Sequence, residues 1–351
     1  MIKGKYGVVG KQLAWIWVLL VSLSVVSCSS GGGSGDSGSV IPSGNGTEDS
    51  GTAPTVSFTI DSGYRINLAS NPRIMDYAGG VLSLGYEYRA TELADTPSER
   101  GYIAFSSDGL SFAGNRQFLA GESKGKGVLL PDMTYRRYSE DQATGTLVSE
   151  SSTDGVTYVP DAGARYDLSL HDHGNMGVRT FFVDQDGGVV LLYNNNLQIN
   201  GNEVIFVKRA YSQPGDNGLN FVLTNEDVIG LAYDDGLPQS FADPNAIVLA
   251  DGRVRLIVMQ QDRDTPMPPL GRTGTLYSFI SDDGETFMYE TRLFAWRDFT
   301  EFEVRSLNDP KIICFEDNTC RIYVAAMVPT ESGEEDQGEY KWIIVSAHQN
   351  E

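Results

Sequence analysis

From residue 55 onward, apolar and polar positions alternate in short runs such as "TVSFTID", "VRLIVMQ" and "TLYSFIS". A period of two sends successive side chains to opposite faces, so these runs predict β-strands. No long stretch repeats at helical spacing. Asp-Gly and Gly-Gly pairs punctuate the runs and predict tight turns. The stretch "SFISDDGETFMYE", residues 278–290, condenses the pattern into a strand, a polar turn and a second strand.

The pattern repeats on a larger scale. "ADPNAIVLADGRVRLIVMQ", a loop and "TLYSFISDDGETFMYETRLF" match "SNPRIMDYAGGVLSLGYEY", a loop and "GYIAFSSDGLSFAGNRQFL". A third unit runs from "GVRTFFVDQDGGVVLLYNN" through "VIFVKRAYSQPGDNGLNFVL", and a last one from "NDPKIICFEDNTCRIYVAAM" to "YKWIIVSA". A short unit, "PDMTYRRYSEDQATGTLVSESSTDGVTYVP", lies between the first and third; it holds the turn, and its length leaves open whether it has three strands or four. A four-stranded unit recurring about every 50 residues predicts an all-β, five-bladed β-propeller. The last unit has three strands, while "TVSFTID" at 55–61 has no blade of its own. That N-terminal strand is expected to complete the final blade and close the ring, removing an open sheet edge.

The turns read Ser106-Ser107-Asp108-Gly109-Leu110-Ser111-Phe112, Ser152-Thr153-Asp154-Gly155-Val156-Thr157-Tyr158 and Ser281-Asp282-Asp283-Gly284-Glu285-Thr286-Phe287, with a looser copy at 216–221. An Asp carboxylate accepts backbone N–H bonds inside such a turn, and Gly supplies a positive φ. The turns resemble the Asp-box of sialidases and related propellers, one residue shorter than its commonest form. That resemblance implies a structural role on the face away from an active site.

Composition adds compartment and partners. The formal charge of −21 argues against nucleic acid or an anionic membrane surface as partner. An anionic ligand would need a local Arg cluster working against that field. Lys3, Lys5 and Lys11 precede a 14-residue apolar run, "LAWIWVLLVSLSVV", too short to span a membrane comfortably. The run ends in "VVSC", which resembles the lipobox of bacterial lipoproteins. The resemblance implies lipidation at Cys28, cleavage of signal peptide 1–27 and a lipid-anchored position in the cell envelope, at the outer membrane, with the membrane touched through the lipid alone. An ordinary signal peptide with an incidental Cys is the alternative. Losing those 27 residues removes three lysines and no acids, taking the charge to −24. Residues 28–54 form a Gly/Ser-rich linker, roughly 25–30 Å in r.m.s. span, and 55–351 form the propeller. Of the remaining cysteines, Cys314 and Cys320 flank a hairpin loop at 316–318, which sets them opposite one another within disulfide range. Two buried free thiols are the alternative.

In a propeller, the residues leading into each first strand ring the mouth of the central channel. Here these are Asn71-Pro72-Arg73, Pro131-Asp132, His171-Asp172-His173-Gly174-Asn175, Ala242-Asp243-Pro244 and Asn308-Asp309-Pro310. The carboxylates of Asp132, Asp172, Asp243 and Asp309, with Glu301 or Glu303 from the connector into the last blade, are expected to converge there. Crowded carboxylates push one pKa up and create an acid beside a base, the arrangement glycoside hydrolysis needs. Equally, Asp-Pro at a strand start caps a turn. Asp243 and Asp309 are the strongest catalytic candidates, followed by Asp132, Glu303 and the pair His171 and His173. The histidines share a face if the segment is extended, for a metal, for proton transfer, or as a plain polar connector. Asn71, Arg73, Asp172, Asn175, Arg179 and Arg305 are candidate substrate contacts, the arginines for an anion.

A five-bladed propeller with Asp-Pro lead-ins resembles the glycoside hydrolases of families 43 and 32. The resemblance implies a glycoside hydrolase-like activity on an extracellular glycan; it requires no cofactor, although some related propellers carry an axial Ca²⁺. The chain departs from the family pattern where a catalytic Asp belongs, having Asn71, and where the third blade supplies a Glu, having "HDHGN". The alternative is a non-catalytic propeller that binds a glycan or a surface protein. A monomer is expected.

Overall fold

The structure is a computed structural model. It describes residues 56–89, 101–119, 125–171, 176–199, 202–230, 233–234, 237–238, 240–261, 266, 268–331 and 338–350. The expected signal peptide, Cys28 and the linker lie outside the described residues.

The strands follow in chain order. β1 (Phe58–Ile60) and β2 (Ile66–Asn67) come first. Blade one is β3 (Ala69–Ala78), β4 (Val81–Tyr88), β5 (Gly101–Ser106) and β6 (Ala113–Leu119). Blade two is β7 (Val128–Leu129), β8 (Tyr135–Asp141), β9 (Thr146–Ser152) and β10 (Val159–Pro160), with β11 (Tyr166–Asp167) also on β9. A short helix, α1 (Leu168–His171), leads to blade three: β12 (Arg179–Val183), β13 (Val189–Ile199), β14 (Asn202–Ser212) and β15 (Val222–Asn225). A two-residue pair, β16 (Tyr233–Asp234) and β17 (Leu237–Pro238), precedes blade four: β18 (Phe241–Val248), β19 (Val254–Gln260), β20 (Thr275–Ser281) and β21 (Met288–Ala295). Blade five is β22 (Ser306–Cys314), β23 (Cys320–Pro329) and β24 (Tyr340–Gln349). β1 adds to β24 antiparallel, with Phe58 opposite Gln349, and closes the ring as the leftover first strand implies. The molecule is a five-bladed, all-β propeller.

Both faces of a blade are buried, so its second strand is apolar nearly throughout. In β19, Val254, Leu256 and Val258 pack toward blade three with Val190, Leu192 and Phe182. The intervening Ile257 and Met259 pack toward blade five with Ile322, Val324 and Ile343. The same division repeats in β13, whose Leu191 and Tyr193 face Tyr138 and Leu147 of blade two. Leu82 and Leu84 of blade one meet Tyr323 and Ile344 of blade five. Blades one and two are joined near the axis by the Lys126–Asp76 ion pair at 2.7 Å.

One sequence expectation changes, and one open point closes. Blade two has four strands, of which β7 and β10 have two residues each. Its first strand is Val128–Leu129, so Pro131-Asp132 follows that strand instead of leading into it. A two-residue strand has no periodicity to read, which is why the lead-in was placed too late. The cysteines are bonded as expected, opposite one another in the β22–β23 hairpin with Cα atoms 4.0 Å apart.

Candidate active site at the channel mouth

First strands run from the mouth inward, and three carry the same irregularity near their start. The ladder shifts register between Ser70 and Arg73, between Ala242 and Asn245, and between Asn308 and Lys311. At each shift the residue before proline has a left-handed backbone: φ is 49° at Asn71, 55° at Asp243 and 55° at Asp309. Proline has no N–H for the ladder, so it belongs at a bulge. Asn and Asp tolerate the left-handed region better than other non-glycine residues. The dipeptides Asn-Pro and Asp-Pro thus write the bulge, and the bulge aims a polar side chain across the mouth. Blades four, five and one are neighbours around the ring, so these three bulges form an arc on one side of the channel.

The arc is cross-linked. Asp243 Oδ2 accepts the Asp309 N–H at 3.1 Å, and Asn245 Oδ1 accepts the Ile312 N–H at 2.8 Å. Thr180 Oγ1 accepts the Ala246 N–H at 3.4 Å, tying β12 to β18. Burial pushes the Asp243 carboxyl up to about 7, and the Asp309 charge adds to the rise; the Asp309 N–H and Lys311 oppose it. The Lys311 Nζ is closed to solvent and has no hydrogen-bond partner among the described residues. Burial lowers its pKa, against the pull of Asp309 and Asp243.

In blade one the place of an aspartate is taken by Asn71, whose Nδ2 donates to Glu87 Oε2 at 2.8 Å. Arg73 Nη2 donates to Glu87 Oε1 at 2.7 Å, so both oxygens of Glu87 are engaged. Arg179 pairs with Glu140 at 2.6 Å. On the rim, Glu303 Oε1 accepts from Arg272 at 2.8 Å and from Arg305 at 2.6 Å. Arg305 lies 5.6 Å from the Tyr340 ring centroid. Glu301 instead accepts the Gly63 N–H at 2.6 Å, at the outer edge of blade five.

The residues nominated from sequence therefore divide. Asp243 and Asp309 come together; Asn71 and Arg73 stand beside them on the same arc; Arg179 lies across the channel; Glu303 and Arg305 sit on the rim. Asp132 is at the opposite end of the molecule, in the β7–β8 turn. There it accepts the Thr134 N–H and hydroxyl, and Asn217 Nδ2 at 3.0 Å. The His171 side chain, Asp172, His173 and Asn175 lie outside the described residues. Glu87 and Lys311 escaped the sequence reading. Glu87 reaches the site through cross-strand register, facing Ser70, which no local motif reveals. Lys311 had a signal: Asn71-Pro72-Arg73 and Asp309-Pro310-Lys311 both place a cation two residues after the bulge.

Below the arc, the five first strands enclose a cavity of about 520 Å³ whose walls include Arg73, Arg179, Thr180, Phe181, Asn245 and Lys311. Among the described residues no group of three or more His, Cys, Asp or Glu side chains is placed to hold a metal ion. Calcium takes six to eight oxygen ligands, carboxylates prominent among them. Among the described residues three cations and no carboxylate line this cavity, a set that does not fit an axial Ca²⁺.

The chain is similar in structure to a glycoside hydrolase, with a TM-score of 0.54 at 11% identity over 83% of this chain and 92% of that one. The shared fold is the five-bladed β-propeller. A thermostable family-43 glycoside hydrolase aligns with a TM-score of 0.50 at 12% identity, over 82% of this chain and 91% of that one. An N-acetylgalactosamine deacetylase from F. plautii, solved with blood group B trisaccharide, aligns with a TM-score of 0.50 at 15% identity, over 84% and 94%. At these identities the likeness is one of fold, and a fold hosts more than one chemistry. No protein-family model matches the sequence, and no curated protein matches it.

Proposed function

We propose that the protein is a glycoside hydrolase-like propeller acting on an extracellular glycan, held at the cell surface by lipid on Cys28. In this reading the turns at 106–112, 152–158 and 281–287 are Asp-box turns that serve the fold. The supporting observation is the Asp243–Asp309 pair. Two adjacent blades bring both carboxylates to the mouth, and burial beside Asp309 raises Asp243 to about 7. At neutral pH such a carboxyl is available as a proton donor beside a second carboxylate, the division of labour that glycoside hydrolysis requires. The test is a hydrolysis screen of the full chain against glycan panels, with Asp243→Asn and Asp309→Asn. General acid–base catalysis contributes about 10²–10⁴-fold, so each variant should lose at least that much. Unchanged activity in both would remove the assignment.

A second reading, a glycan-binding propeller without catalysis, is favoured by one observation: nearby carboxylates are already engaged. Glu87 is held by Asn71 and Arg73, Glu140 by Arg179, and Asp243 by the Asp309 N–H. Glycan-array binding that survives Asp243→Asn, with no hydrolysis by the parent protein, would decide for it. The anchor has its own test: labelling with radioactive palmitate should mark the protein and vanish in Cys28→Ser.

A further inference from the structure

The charged side chains described in the walls of the channel below the arc are all cations, although carboxylates stand behind them. Among the described residues its charged wall residues are Arg73 from blade one, Arg179 from blade three and Lys311 from blade five, in a chain of formal charge −21. The two arginines are backed by Glu87 and Glu140. A bound oxyanion would share donors that remain on the Arg179 guanidinium, which carries five N–H and gives Nη1 to Glu140. Lys311 differs: its ammonium is closed to solvent and makes no hydrogen bond among the described residues. Asp309 and Asp243 attract it from the mouth side, and Arg73 repels it. A buried ammonium without a hydrogen bond is costly, by several kcal/mol in general. A ligand that supplied acceptor oxygens would recover that cost. Thr180 and Asn245 add polar atoms to the wall, while Phe181, Ile247 and Ile312 make the rest apolar. The volume of about 520 Å³ is in the range of small-molecule sites.

We propose that this channel is an oxyanion subsite, centred on Lys311 and flanked by Arg73 and Arg179, that takes the carboxylate or sulfate of an acidic sugar. The inference rests in part on the glycan reading above and narrows it to acidic glycans. An inorganic anion shares the same chemistry, so the experiment carries both. Calorimetric titrations of the full chain would use sodium glucuronate, sodium galacturonate, glucose 6-sulfate, sodium sulfate, glucose and calcium chloride, at matched ionic strength. The expected result is binding of at least one charged sugar, no heat with glucose or calcium, and an affinity lower by tenfold or more in Lys311→Met. Lys311→Arg, which keeps the charge, should retain binding. Arg179→Gln, on another blade, gives an independent tenfold loss should Lys311→Met fold poorly.

Binding of sulfate without any charged sugar would keep the oxyanion subsite and overturn its assignment to a sugar. Equal heats with glucose and glucuronate, or saturable calcium binding lost in Asn245→Ala, would overturn the proposal. The outcomes also separate it from the hydrolysis reading. Charged sugars that bind but are never cleaved leave this subsite standing alone, and cleavage of neutral glycans with no anion binding removes this subsite alone.

Discussion

Asp243 is where backbone strain and electrostatics meet. A left-handed, pre-proline aspartate costs about 1 kcal/mol or more in backbone energy, and the chain accepts that cost at two adjacent blades. The carboxyl then sits where burial raises it from 3.8 to about 7. The folded state therefore keeps a proton that the unfolded chain releases near pH 4. Stability from this residue is highest below about pH 4, falls as pH rises toward 7, and levels off above. Asp243→Asn keeps an oxygen for the Asp309 N–H and cannot ionise. The variant should be more stable than the parent at pH 8, by on the order of a few kcal/mol, and so melt higher, and should converge with it near pH 4. Thermal denaturation at the two pH values measures this; identical melting at pH 8 would mean that Asp243 is not a raised carboxyl. A hydrolytic activity carried by Asp243 as acid should decline as pH climbs through about 7.

Three of the turns with which the repeat is written, those at Gly109, Gly218 and Gly284, turn out to be fasteners between blades. In the turns at 106–112, 152–158 and 281–287, one Asp oxygen accepts a hydroxyl and two backbone N–H groups: Asp108 takes Ser106, Leu110 and Ser111, Asp154 takes Ser152, Val156 and Thr157, and Asp283 takes Ser281, Glu285 and Thr286. These bonds hold the Asp108 and Asp154 carboxyls well below the usual range. The following glycine has φ of +68° at Gly109 and +71° at Gly284, and its carbonyl is turned outward. At Gly109, Gly218 and Gly284 a side chain of the neighbouring blade takes it. Tyr323 Oη donates to the Gly109 carbonyl at 2.8 Å, Tyr138 Oη to that of Gly218 at 3.0 Å, and Arg209 Nε to that of Gly284 at 2.9 Å. Sequence patterning foretold the turn and its Asp, because those bonds are local. It was silent on the fastening, because the donor lies 214 residues away for Gly109. Tyr323→Phe should cost about 1–2 kcal/mol, leaving a buried acceptor unpaired. Gly109→Ala should cost at least as much, since its Cβ would come within 2.8 Å of the same hydroxyl at positive φ. Urea denaturation of both single variants and the double checks the link: one shared interaction makes the double less destabilised than the sum.

At the scale of the whole molecule, blade number and ring closure were legible because each blade must bury two faces, and that demand is written in every second strand. The acidic arc was legible for a similar reason: Asn-Pro and Asp-Pro specify a bulge locally. Blade two resisted because strands of two residues carry no pattern. Glu87 resisted because only register brings it to Asn71.

Closure itself rests on few contacts and invites a direct test. β1 gives three paired residues, and β2 adds Ile66 opposite Ile344. Asp61 anchors the junction, accepting Ser346 Oγ at 2.5 Å and contacting His348 Nδ1 at 2.7 Å, with Arg321 Nε at 3.7 Å. Phe58 and Ile60 pack on the large core shared by blades four and five. A chain starting at residue 55 retains all of this and should melt like the parent. A chain starting at residue 65 loses β1, Asp61 and two apolar side chains, roughly 3 kcal/mol by burial alone. It also bares the end of β24 that β1 covers, Ala347 to Gln349, as an open edge, the geometry that recruits a second chain. The longer truncation should therefore melt several degrees lower and form concentration-dependent oligomers in size-exclusion chromatography. Matching melting and a monodisperse profile for both truncations would show that the ring holds without its N-terminal strand, and the clasp would then be ornament on a wheel already closed by its cores.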